Sequence, residues 1–246
     1  MTAKSRYSAI AAASLGLVAF TGSASATELG NTGFDLSGNV ALSSDYTFRG
    51  ISQTNEGPAF QGGFDLSHES GFYVGNWNSN VEFGDASLEM DTYAGWAGSF
   101  NNFGVDVGAV YFFYPDTSEA DDNFDYGEIY GTLSYDFGVA SVSAGVDLTD
   151  EFFGESGDAQ HYRAGVSVPF AGFLSADGSV GYQAIDENDT FGTPDYWHYT
   201  LGLSASFAEN YSAGISFTDT DLDDSDCFGG DELCDSRFQA TLSASF

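Results

Sequence analysis

The residues of this chain that could do chemistry are acids that recur at alternate positions of extended segments, together with three arginines. Side chains alternate between the two faces of a strand, so these residues are predicted to share an inward face. Rings of Asp and Glu favour cations, whereas isolated arginines can position a carboxylate or phosphate. The predicted inward set is Asp45, Asp65, Glu82, Glu89, Asp91, Asp106, Glu128, Asp136, Asp147, Asp177, Arg49, Arg163 and Arg237. Two interpretations of Arg49 and Arg163 stay open: they brace a narrow interior by pairing with acids, or they select ions or solutes.

Two histidines and the acidic loops are candidates for catalytic or metal sites. His161 and His198 are predicted to face inward, but neither has a Ser and an acid at the spacing of a catalytic triad. The segment 219–226 begins like an EF-hand loop, yet Asp224 stands where the turn glycine belongs and Gly230 where the bidentate Glu belongs. The sequence therefore predicts no enzyme, no cofactor and no metal site, although weak divalent binding at acidic loops stays open.

Twelve segments with a period of two must position these residues. Each is long enough to cross a bilayer as a tilted strand, and the connections between them alternate between short turns and longer acidic loops. The pattern predicts an all-β fold, a transmembrane antiparallel up-and-down β-barrel of twelve strands with both termini in the periplasm. A soluble β-sandwich also alternates but does not explain so many long strands. The predicted strands cover 34–49, 58–68, 72–83, 87–100, 103–114, 125–137, 139–149, 160–170, 174–185, 195–207, 211–221 and 236–246.

Aromatic residues at the opposite parity are predicted to form two lipid-facing girdles. The girdle on the turn side comprises Tyr73, Phe100, Phe103, Tyr135, Phe137, Phe170, Phe207, Tyr211 and Phe246. The girdle on the loop side comprises Tyr46, Phe48, Phe60, Phe83, Tyr111, Phe113, Tyr162, Tyr182, Trp197, Tyr199, Phe217 and Phe238. Asn76, Asn78 and Asn80 are predicted to face the interior.

The two ends of the chain indicate export to the bacterial outer membrane. Lys4 and Arg6 precede a short apolar stretch and an Ala-Ser-Ala cleavage site, which predicts a signal peptide over 1–26 and a barrel over 27–246. The last strand alternates without a break and stops on Phe246, which resembles the terminal strand that outer-membrane barrels present to the barrel-assembly machinery. Outer-membrane lipid and that machinery are therefore the expected partners.

Charge and cysteine content agree with an exported protein. Five basic residues stand against 37 acidic ones, and two of the five belong to the predicted leader, so nucleic acid is disfavoured as a partner. The surplus is either a solvated surface or a field that attracts cations. Cys227 and Cys234 lie in the last long loop, where an even pair in an exported chain predicts a disulfide.

Two motifs resemble those of a known family. Ser-Asp-Tyr-Thr-Phe-Arg-Gly at 44–50 and Gly-Asn-Trp-Asn-Ser-Asn at 75–80 resemble the TorF family of porins, also described as Gcw-type conserved hypothetical proteins. The resemblance implies an outer-membrane porin and supplies no substrate or catalytic residue.

The sequence therefore predicts passive diffusion of small hydrophilic solutes or ions, with a preference for cations. The alternative is a non-conducting, structural or adhesin-like barrel, and the oligomeric state is left open.

Overall fold

The computed structural model describes residues 26–115, 117 and 124–246. The leader predicted over 1–26 lies outside these residues apart from Ala26. No helix in this part of the chain is long and apolar enough to cross a membrane. The strands are β1 (Thr27–Glu28), β2 (Phe34–Ser43), β3 (Thr47–Phe48), β4 (Ile51–Ser52), β5 (Ala59–His68), β6 (Phe72–Phe83), β7 (Ala86–Phe100), β8 (Phe103–Phe113), β9 (Tyr126–Asp136), β10 (Ser141–Thr149), β11 (Ala159–Phe170), β12 (Leu174–Ile185), β13 (Tyr196–Phe207), β14 (Tyr211–Thr220) and β15 (Arg237–Ser245). One helical turn, α1 (Asn188–Phe191), and a 3-10 turn at Glu232–Cys234 lie in loops.

Twelve of these strands close into a barrel. Each pairs antiparallel with its neighbour in sequence, and β2 pairs with β5 on one side and with β15 on the other. The predicted fold class and strand number are confirmed. Full closure leaves no open sheet edge, which is a requirement for strands that span lipid.

The bounds of the first strand and the length of one loop differ from the prediction. The strand predicted over 34–49 ends at Ser43, and residues 47–52 form a separate hairpin, β3–β4, inside the barrel. The prediction ran too far because the hairpin continues the period-two pattern of β2. The connection predicted as a longer loop at 84–86 is the tight turn Gly84–Asp85, where Gly84 has a positive φ of 54°. Because this turn is short, the pairing of β6 with β7 extends to Phe83 and Ala86.

The outer face of the barrel is apolar. Most predicted girdle rings are exposed there, for example Phe100 at 76% and Phe238 at 78% of full exposure. Leu133 and Leu201 are exposed between the girdles. In a soluble protein such a surface would be unfavourable, whereas a barrel in lipid requires it.

The predicted facing of β6 is wrong. Phe72 and Val74 are exposed, so Tyr73 and Trp77, on the opposite parity, face the interior. Asn76 and Asn78 therefore lie on the outer face rather than inside. They satisfy their amides locally, since Asn76 donates to the Asp91 carbonyl at 3.0 Å and Asn78 donates to Asn76 at 2.6 Å. These bonds make two polar side chains tolerable on that face.

Inward glycines make room for large inward side chains. In five cross-strand pairs, a Cβ added to the glycine would meet the side chain directly opposite. The large side chain therefore lies flat over the glycine of the neighbouring strand. A narrow barrel can hold large inward side chains in this way without a clash with its wall. The pairs are Gly75 with Tyr93, Gly95 with Tyr73, Gly108 with Tyr130, Gly145 with Arg163 and Gly181 with His198.

The seam between the first and last barrel strands ends at the carboxyl-terminal residue. Gly38 donates to the Phe246 carbonyl at 2.7 Å, and the Phe246 amide donates back to Gly38 at 2.9 Å. Beyond that point β1 takes over the same edge of β2, with Thr27 opposite Leu36. Phe246 is therefore part of the closure as well as of the girdle.

We expect deletion of Phe246 to lower the free energy of unfolding by about 1–3 kcal/mol, because two main-chain hydrogen bonds of the seam are lost. Phe246→Ala keeps both bonds and should lose clearly less. Urea unfolding of the lipid-reconstituted barrel measures both. Equal losses in the two variants would mean that the ring, not the main chain, holds the seam.

Candidate functional site

Residues 44–58, which connect β2 to β5, fold into the barrel and are called the inner loop below. Asp45 organises it by accepting hydrogen bonds from Ser52 at 2.7 Å and Thr54 at 2.8 Å. Arg237 on β15 holds the loop against the wall through ion pairs to Asp45 at 3.1 Å and Glu56 at 3.2 Å. The sequence placed Asp45 on a wall strand, but its carboxylate anchors a loop.

Arg49 stands at the tip of the β3–β4 hairpin and is only 4% exposed. Its guanidinium donates twice to Glu128 on β9, at 2.6 and 2.8 Å, and once to Gln183 on β12, at 2.8 Å. It also lies 4.6 Å from the centre of the Phe48 ring and 5.7 Å from that of Phe152. Burial alone lowers the pKa of Arg49, but the facing carboxylate of Glu128 raises it above its ordinary value, so the group stays charged.

A second charged group joins β10, β11 and β13. Asp147 accepts from Arg163 at 3.0 Å and from His161 at 2.8 Å, and Arg163 also donates to Thr132. The other ring nitrogen of His161 lies 2.8 Å from Nε2 of His198. That contact is a hydrogen bond only when one of the two nitrogens carries a proton and the other does not. Neutral histidines of complementary tautomers satisfy it.

Two buried acids follow each other on the inward face of β7. Glu89 accepts from the hydroxyls of Tyr46 at 2.8 Å and Tyr114 at 2.6 Å. Asp91 is fully buried at 0% exposure beside its register partner Trp77. Neither carboxylate oxygen of Asp91 has a hydrogen-bond partner among the described residues.

Nearer the turn side, tyrosines replace arginines as the partners of the acids. Tyr73 donates to Asp106 at 2.6 Å and lies 2.6 Å from the hydroxyl of Tyr130. Tyr93 donates to Asp65, also at 2.6 Å. These hydrogen bonds join side chains on non-adjacent strands along the inner wall.

Three predicted inward acids lie outside these groups. Asp177 faces the lumen and accepts from Ser175 at 3.2 Å. Asp136 is exposed at the end of β9 and caps the turn by accepting from Gly138. Glu82 is exposed at the loop end of β6, where Asn55 donates to it at 3.3 Å, so it does not lie in the lumen as expected.

An interior cluster of rings, which the sequence did not predict, packs under the loops. Phe83 was expected in the outer girdle, but it contacts Phe153 edge-on and belongs to this cluster. Tyr46 and Phe48 were expected in that girdle too, but they belong to the inner loop and pack into this cluster. On the loop side the cluster includes Tyr46, Phe48, Trp77, Phe83, Phe112, Tyr114, Phe124, Tyr126, Phe152, Phe153 and Phe191.

The disulfide prediction is confirmed, since Cys227 is bonded to Cys234. Both cysteines are buried together with Tyr196 and with Ile51 of the β3–β4 hairpin. The last long loop is thereby pinned over the inner loop. Within the described residues, no group of three His, Cys, Asp or Glu side chains is arranged to hold a metal ion.

Three solved structures that share this fold are porins. The KdgM porin matches with a TM-score of 0.59 at 11% identity, covering 85% of this chain and 99% of that chain. KdgM in complex with disordered oligogalacturonate gives 0.58 at 10% identity, over 86% and 98%. The NanC porin gives 0.55 at 11% identity, over 86% and 98%. At these identities the similarity shows the fold.

No curated protein matches the chain. A family model described as "Bacterial protein of unknown function (Gcw_chp)" matches residues 27–246. This agrees with the Gcw-type resemblance noted from the motifs, whereas the TorF name is not confirmed. The chain belongs to the Gcw_chp family.

Proposed function

We propose that the protein is an outer-membrane porin that passes small hydrophilic solutes or ions passively and prefers cations. The observation that carries the proposal is the separation of charge: acids line the interior of a closed barrel whose outer face is apolar. The shared fold with porins supports a channel rather than an enzyme. Outer-membrane lipid and the assembly machinery are its partners in this proposal, with the two termini on the periplasmic side.

The acid surplus sets the preference. In the lumen Asp65, Asp106 and Asp177 have hydroxyl partners but no ion pair within the part of the chain that the structure describes. Low-dielectric lipid around the barrel focuses the field of such charges. An acidic lumen repels a polyanion such as the oligogalacturonate of the KdgM complex, so the proposed solutes are neutral or cationic.

Planar-bilayer recordings under a salt gradient test the function. We expect a reversal potential that indicates potassium over chloride, and a preference that shrinks with salt as the Debye length falls from about 10 Å at 0.1 M to about 3 Å at 1 M. Asp65→Asn with Asp177→Asn should reduce the preference, whereas Glu209→Gln at an exposed turn should not. Anion preference contradicts the acidic lumen as the selector.

The second candidate is a non-conducting structural or adhesin-like barrel. The inner loop and the ring cluster favour it, because they fill the lumen on the loop side. Absence of current from correctly folded, inserted protein would select this alternative.

A further inference from the structure

We propose that Glu128, Gln183 and the buried acids of β7 form a binding site for the guanidinium or primary ammonium group of a permeating solute. Arg49 occupies this site as a tethered cation. The inference rests on the channel function proposed above and names the class of solute that the channel recognises: small organic cations.

The geometry around Arg49 is that of a cation receptor. The guanidinium donates from Nη2 to both carboxylate oxygens of Glu128 and from Nη1 to Gln183, and both acceptors are buried. Charge-assisted hydrogen bonds of this kind favour a cation that carries N–H donors. The Phe152 ring adds a cation–π contact.

The site has more negative groups than its resident cation can pair. Among the described residues, the completely buried Asp91 finds no partner for either carboxylate oxygen, while Glu89, two residues earlier on the same face, accepts from tyrosine hydroxyls. A buried carboxylate without a partner is strongly unfavourable. The arrangement therefore points to a positive group that enters from outside the chain.

Arg49 is carried by an element that is separate from the barrel wall. β3 and β4 form a two-stranded sheet of their own rather than part of the wall. At the tip, Arg49 has a φ of 50° and Gly50 a φ of 88°. Positive φ at both central residues is what a two-residue hairpin turn requires. A solute cation that replaces the Arg49 guanidinium conserves the charge of the site.

An organic cation fits better than a metal ion. The described residues contain no group of three metal-ligating side chains. The acceptors lie beside aromatic walls, with Tyr126 and Phe152 in edge contact. Aromatic faces and planar acceptors suit a guanidinium or ammonium group attached to a short carbon chain.

Chemical rescue of Arg49→Ala tests the site, with methylguanidinium as the probe and methylurea as its neutral isostere. In the lipid-reconstituted variant, millimolar methylguanidinium should raise the thermal midpoint saturably, and methylurea should not. Wild-type protein should respond about tenfold more weakly or less, because Arg49 competes at high effective concentration. Arg49→Met, which keeps the length of the aliphatic chain, serves if the alanine variant does not assemble.

The matched acid controls locate the binding. Adding Glu128→Gln to Arg49→Ala should abolish the response, because the charged acceptor is lost, whereas adding Glu209→Gln on an exposed turn should leave it unchanged. An equal response to methylurea, or a response that survives Glu128→Gln, overturns the proposed site.

Bilayer recordings separate this inference from the channel function. Current without saturable methylguanidinium binding overturns the site and leaves the porin function standing. Saturable binding without current supports the site as a receptor for cations and overturns the porin function.

Discussion

Glu128→Ala is expected to lower the free energy of unfolding by about 3–5 kcal/mol, because it leaves a buried guanidinium without its partner. Arg49 is almost fully buried and donates two of its three side-chain hydrogen bonds to this carboxylate. Urea unfolding in lipid vesicles, followed by tryptophan fluorescence, gives the difference. Glu82→Ala, at the exposed loop end of β6, is the matched control and should change stability by no more than about 0.5 kcal/mol.

The double variant Arg49→Met with Glu128→Leu should recover most of that loss, since apolar groups of similar volume can replace a buried ion pair. The recovery separates an unpaired charge from a cavity as the cause of the effect. A loss of under about 1 kcal/mol in Glu128→Ala would be inconsistent with this account. It would indicate that the guanidinium turns to another acid of the lumen.

Gly75→Ala is expected to destabilise the barrel by about 3 kcal/mol, through overpacking and a lost hydrogen bond. A methyl group at this position would collide with the ring of Tyr93 directly opposite. The ring cannot move away without giving up its 2.6 Å hydrogen bond to Asp65. Urea unfolding again measures the difference.

Gly131→Ala is the control for this prediction, because the nearest atom to its added methyl is Val107 Cγ1 at 3.9 Å. It should not lose stability, since alanine restricts the unfolded chain more than glycine does. In the background of Tyr93→Ala, the Gly75 substitution should lose most of its effect. Similar losses at both glycines would mean that strand flexibility, not space for the ring, is what Gly75 provides.

The wall of the barrel was predictable because one physical rule, the alternation of faces, operates along every strand. That rule gave the number of strands and placed Glu89, Asp91, Glu128 and Asp147 inside. It failed on β6, where both faces mix aromatic and polar residues and local hydrogen bonds satisfy the outward asparagines. Alternation cannot decide such a strand, because polarity does not differ enough between its faces.

The inner loop was not predictable from the same rule. Thr47 and Phe48 continue the alternation of β2, so the sequence extends the strand where the chain in fact turns inward. The partners of Arg49 are distant in sequence, with Glu128 79 residues away and Gln183 134 away. Only the closed barrel brings them together. The motif at 44–50, on which the family resemblance rested, therefore lies in the element whose position the alternation did not predict.

The inner loop touches strands from the beginning, the middle and the end of the chain, and this imposes an order on assembly. Its Arg49 reaches β9 and β12, while Asp45 and Thr47 are tied to Arg237 and Gln239 on the last strand. These ties to β15 can form only when the seam with β2 forms. Docking of the inner loop and pairing of β2 with β15 are thus one event, so the barrel closes around a segment of its own chain.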